Sequence, residues 1–160
     1  MRRGVLMAVA AVVVMGVASP AQAEIIRFTS TLTGGNETPN PILTGAFATA
    51  RVELNTDTQT VSWVIDIFNL PSGISNAHFH VGAPGVSGPT VVNIPFTANQ
   101  SNDFTLSGSA TSANLNVRGD QGIRSWDDFM QSLTGGQMYL NIHTTVNGGG
   151  EIRGPVVRVP

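Results

Sequence analysis

Apolar and polar positions alternate through most of the chain. Ile26, Phe28, Ser30 and Leu32 interleave with Arg27, Thr29 and Thr31, and Ala46, Ala48, Ala50, Val52 and Leu54 interleave with Phe47, Thr49, Arg51 and Glu53. A period of two places each set on one face of an extended strand. Asn55-Thr56-Asp57-Thr58-Gln59 follows as a turn candidate, because Asx side chains can satisfy local backbone groups. It leads into Val61, Trp63, Ile65 and Ile67, a strand whose other side, with Val64 and Phe68, is also apolar. The pattern predicts a hairpin joining 46–54 to 60–68. Further strands are predicted near 77–81, 90–94, 103–112, 138–144 and 151–159. Short strands punctuated by Gly, Pro and Asn clusters imply an all-β chain, a Greek-key β-sandwich or flattened barrel of about 7–9 antiparallel strands.

One short helix, near 125–134, interrupts the alternation. Trp126, Phe129, Met130 and Leu133 recur at i, i+3, i+4 and i+7, which makes a single apolar stripe. Ser125 suits the N-cap, Asp127 and Asp128 suit the positive end of the helix dipole, and Gly135-Gly136 can end the helix. The stripe reads as a helix covering one open end of the β structure.

The N-terminus follows neither period. Met1-Arg2-Arg3, the apolar run Val5–Ala18 and Ala21-Gln22-Ala23 have the n-region, h-region and cleavage pattern of a secretory signal peptide. Residues 1–23 are therefore expected to be removed, leaving a single β-domain, 24–160, exported to the periplasm or the extracellular space. The long apolar run favours the general secretory route over the twin-arginine route that Arg2-Arg3 superficially resembles. Removing two arginines takes the net charge from −2 to −4.

Composition then excludes several functions. No later run reaches the roughly 20 apolar residues that span a bilayer, so no transmembrane segment is expected in the mature chain. The chain has no lysine and its arginines are scattered, which argues against a nucleic-acid partner. With no cysteine, disulfides, thiolate metal sites and cysteine nucleophiles are excluded. No G-x-S-x-G elbow, phosphate loop or H-E-x-x-H helix is present, so no catalytic residue is assigned and the reading leans away from an enzyme. Two N-x-S/T matches, at Asn36 and Asn99, are treated as chance in so Thr- and Asn-rich a chain.

The three histidines carry the candidate chemistry. His78 and His80 stand at i and i+2 on a predicted strand, on one face and about 6.6 Å apart along it. His143 ends the alternating run Tyr139, Asn141, His143, so all three imidazoles could cluster if the two strands adjoin. A nitrogen trio without thiolates suits copper or zinc at about 2.0–2.1 Å and leaves a coordination position open. Rings more than about 7 Å apart could not share one ion. Asn141 shares a face with His143 and is a candidate hydrogen-bond partner for a ligand. Strand histidines also simply bond a carbonyl or carboxylate, and that structural reading stays open. Glu151 and Arg153 form a second i, i+2 pair framed by Gly150 and Gly154. They read as a salt bridge or backbone clamp, with Glu151 as an additional ligand or proton acceptor as the alternative.

Four segments taken in order resemble the chordin-type (CHRD) domain family, as a bacterial single-domain secreted member. They are Phe28 with Leu32-Thr33-Gly34-Gly35-Asn36-Glu37-Thr38-Pro39, then Ala77-His78-Phe79-His80-Val81-Gly82, then Tyr139-Leu140-Asn141-Ile142-His143-Thr144, and last Gly150-Glu151-Ile152-Arg153-Gly154. Phe79 stands where the family usually has an aliphatic residue. The resemblance implies a secreted or surface β-domain and supplies no settled activity. In chordin, similar domains sit among cysteine-rich repeats that bind bone morphogenetic proteins, and this chain lacks those repeats. A looser likeness to copper/zinc superoxide dismutase rests on the H-x-H strand and a glycine-framed arginine segment, and implies no activity. Two functions follow as expectations. One is an exported domain holding copper or zinc through His78, His80 and His143, for metal buffering, carriage or sensing. The other is a non-catalytic adhesion or protein-interaction module whose histidines are structural.

Overall fold

Alternation in sequence becomes alternation in burial. The computed structural model describes residues 24–160, so the leader reading lies outside the described residues. Strands β1 (Ile25–Thr33) and β2 (Phe47–Asn55) bury every second residue, and β3 (Thr60–Leu70) turns Val61, Trp63, Ile65 and Ile67 inward. These strands form an antiparallel meander in which Ala50 lies opposite Ser30 on one side and Ile65 on the other. The predicted hairpin is present, and Asn55 Oδ1 accepts from the Asp57 and Thr58 amides at 3.0 Å each. On the outer side Phe68 stacks on Phe47 at 4.8 Å, which accounts for the second apolar side of β3.

The remaining strands are β4 (Ile74–Val81), β5 (Thr90–Asn93), β6 (Asn102–Ala110), β7 (Met138–Thr144), β8 (Ile152–Pro155) and β9 (Val157–Arg158). All nine join one sheet in the order β5-β4-β7-β8-β1-β2-β3-β6, with β9 also paired to β1, and every pairing is antiparallel. The sheet curls around one core into a nearly closed, flattened barrel. The predicted strand 151–159 is broken at Val156. Its side chain is buried and its amide donates to the Met138 carbonyl at 2.9 Å, after which β9 pairs with β1.

Helix α1 (Trp126–Thr134) covers the core as its stripe predicts. Trp126, Phe129 and Leu133 are buried, Trp126 stacks on Phe129 at 4.4 Å, and Phe129 meets Phe79 edge-on at 6.3 Å. Ser125 accepts from the Asp128 amide while Asp128 Oδ2 accepts from the Ser125 and Arg124 amides, a reciprocal cap. These bonds hold the Asp128 carboxyl below its usual range. The left-handed residue at the helix end is Gly136, at φ 70°, rather than Gly135.

Strand β7 departs from alternation: all seven of its residues are buried. Met138, Leu140 and Ile142 face the core. Tyr139, Asn141 and His143 project from the other face, which the loops around 34–41, 82–89 and 145–150 cover. That covered outer face is where the candidate chemistry sits.

Candidate metal centre

Register places the histidines. β4 and β7 adjoin, with Asn76 opposite His143, His78 opposite Asn141 and His80 opposite Tyr139. Phe79 is fully buried in the core, so His78 and His80 project outward on the face that carries His143. Ring centroids are 5.4 Å apart for His78–His80, 5.1 Å for His78–His143 and 6.2 Å for His80–His143. One ring nitrogen of each histidine lies within 4.8 Å of the other two.

Neighbouring carbonyls fix which nitrogens are available. His80 Nδ1 donates to the Gly88 carbonyl at 2.9 Å, and His143 Nδ1 donates to the Gly148 carbonyl at 3.0 Å. A carbonyl only accepts, so each Nδ1 carries the proton and each Nε2 presents a lone pair. His80 Nε2 is buried and has no partner among the described residues, while His143 Nε2 lies 3.3 Å from His78 Nδ1. Histidines that bind metals characteristically donate their other N–H in this way. With the proton on His143 Nδ1, His143 Nε2 accepts from Nδ1–H of the half-buried His78.

Burial keeps the trio neutral. Desolvation, reinforced by the His143 and His80 charges, pushes His78 down to about 4 from 6.5. Desolvation also takes His80 down to about 4 against the opposing Gly88 bond, with His143 and Arg153 adding to the effect. His143 is lowered mainly by burial. Neutral imidazoles are the form that binds metal, so no proton need leave at neutral pH.

A second network holds the loops over this face. Tyr139 stacks on His80 at 4.7 Å and 11°, its hydroxyl donates to the Gly88 carbonyl and it accepts from the Gly88 amide, both at 3.1 Å. The buried Arg153 guanidinium lies 3.7 Å from the Tyr139 ring centre and donates to Thr38 Oγ1, Ser87 Oγ and the Val86 carbonyl. Asn36 Nδ2 donates to the Arg153 carbonyl at 3.1 Å. Glu151, fully buried, accepts from Thr144 Oγ1 at 2.9 Å and Asn147 Nδ2 at 2.6 Å. The Glu37 carboxyl lies so close to Gly150 that a Cβ there would sit 2.6 Å from Glu37 Oε1. Burial, with help from Glu151 and against Arg153, pushes Glu37 up to about 7. A cavity of about 380 Å³ opens beside this network, bounded by Asn36, Glu37, Thr38, Tyr139 and Arg153 among others.

The structure thus brings His78, His80 and His143 together and leaves Glu151 out of their group. Glu151 and Arg153 form no salt bridge with each other; they clamp different loops. Asn141 does not bond the histidines. It lies between His78 and Arg153 in register with its Oδ1 unpartnered, and the carbonyls of Gly88 and Gly148 take the role proposed for it. Sequence reasoning did not reach those carbonyls or the Glu37 contact; the Gly-rich runs flanking both histidine strands were the available signal.

All four motifs meet at this one face. The family model of the CHRD domain matches residues 28–156, and the chain belongs to that family. No curated protein and no solved structure matches it.

Proposed function

We propose that this is an exported CHRD-domain protein that binds one copper or zinc ion through His78, His80 and His143, for metal buffering, carriage or sensing. The observation that carries this reading is the convergence of one nitrogen from each imidazole within 4.8 Å, with His80 Nε2 buried and, among the described residues, unpartnered while its Nδ1 is held by Gly88. A buried ring nitrogen without a partner costs about 1–3 kcal/mol, and a bound cation removes that cost. The leader pattern of residues 1–23 supports export, with the domain 24–160 as the mature product.

The alternative is an interaction module with structural histidines, and the two imidazole–carbonyl bonds favour it to the extent that they stabilise loops on their own. Substituting His78, His80 and His143 singly with Gln separates the two. On the metal reading, each variant loses one-to-one copper and zinc binding and the thermal shift those ions produce. His78→Gln does so with little loss of metal-free stability, because His78 is the least buried of the three. Wild-type protein that retains no ion after desalting would contradict the metal reading.

A further inference from the structure

The charges around the histidines discriminate among the ions they could hold, an inference that rests on the metal-binding reading above. Three neutral imidazoles bring no negative charge, and among the described residues no carboxylate joins their group. Three buried ionisable side chains border them: Glu37, Glu151, whose Oε2 is held by Thr144 and Asn147, and Arg153, which reaches His80 through the stacked Tyr139 ring. Two stacking steps, 3.7 Å from Arg153 Cζ to the Tyr139 ring and 4.7 Å from that ring to His80, separate the guanidinium from the site.

Arg153 is 3 % exposed and, among the described residues, makes no carboxylate salt bridge, so water and counter-ions screen it little. Glu37, pushed up to about 7, offsets it only in part. A dication here would meet no anionic ligand and the nearby Arg153 charge, whereas a monocation meets half that Coulomb repulsion and a smaller desolvation cost. Imidazole suits copper and zinc alike, so ligand type does not decide between them and charge does. Coordination number agrees. Three converging nitrogens complete a trigonal shell for a d¹⁰ monocation, while zinc needs at least a fourth ligand.

The geometry points to a Cu(I) site: His78, His80 and His143 hold Cu(I) in preference to Cu(II) and Zn(II), and Arg153, acting through Tyr139 and His80, sets that preference. In this role Arg153 is a positioning and charge-setting residue, not a ligand.

The test titrates the purified protein anaerobically with Cu(I) against a chromophoric Cu(I) chelator, and separately with Cu(II) and Zn(II) against chelators of their own. The expected result is one Cu(I) per chain, bound at least about tenfold tighter than Cu(II) and not displaced by equimolar Zn(II). Arg153→Met lowers the Cu(I):Cu(II) affinity ratio by about tenfold, because a charge at this range acts on the dication more than on the monocation. Arg153→Lys keeps the charge but not the planar fork that ties the loops, and leaves the ratio within about twofold. A purely structural arginine would instead weaken all three ions together in both variants, which overturns its assigned role. Wild-type protein that binds Cu(II) or Zn(II) as tightly as Cu(I) overturns the Cu(I) preference while leaving metal binding intact. Binding of none of the three ions overturns the metal reading itself. Should Arg153→Met fail to fold, the wild-type ratio still decides the preference.

Discussion

Two backbone carbonyls, on Gly88 and Gly148, decide what the histidines can do. Each takes an Nδ1 proton and leaves the lone pair on Nε2, which for His143 lies 3.3 Å from His78 Nδ1. Gly88 can serve only as glycine, since a Cβ would lie 1.7 Å from the Val81 carbonyl oxygen. Gly88→Ala is expected to displace that loop, cost roughly 2–4 kcal/mol in chemical denaturation and weaken metal binding together with stability. Protonation supplies a second test at this scale. His80 is lowered to about 4, so in metal-free protein its contribution to stability is complete above pH 6.5 and is lost as pH falls toward 4. Glu37 runs the opposite way: raised from 4.5 to about 7, its contribution is complete below pH 4.5 and is lost as pH rises through 7. Glu37→Gln should therefore compare better with wild type at pH 8 than at pH 5. Denaturation curves that show the same difference at both pH values would refute the assignment.

Among the elements, helix α1 closes the core through Trp126, Phe129 and Leu133. Ser125→Ala removes one half of the reciprocal cap and is expected to cost about 1 kcal/mol. Phe129→Ala opens a cavity beside Phe79 and Trp126 and should cost about 3–5 kcal/mol, read from the shift of the denaturation midpoint. Both elements of this argument were legible in the sequence, because the helix stripe, its cap and the β1–β3 alternation are local. The pairing of β4 with β7 was not. Those strands lie some 60 residues apart, and only a conditional statement about His143 could be made before their register was known. The bonds that orient the imidazoles were less legible still, since backbone carbonyls leave no mark in side-chain type. The break at Val156 is likewise a tertiary effect, set by its amide bond to β7.

For the molecule as a whole, the consequence is that four motifs spread from residue 28 to 154 fold into one covered face. Arg153 ties the 34–41 and 82–89 loops together, and Glu151 and Glu37 brace the loop that carries Gly148. A Thr- and Asn-rich barrel with few charges and no cysteine thus concentrates its buried polar groups beside three histidines. Because an ion would bind only the folded arrangement, metal at about 100 times its Kd should add about 2.7 kcal/mol, or roughly 10 °C in melting temperature. The most direct test is the X-ray absorption spectrum of protein loaded with one equivalent of copper. Three imidazole nitrogens at about 2.0 Å are predicted, and this scattering should be lost in the His80→Gln and His143→Gln variants. A shell of oxygen ligands alone, or a spectrum unchanged by those substitutions, would contradict the account.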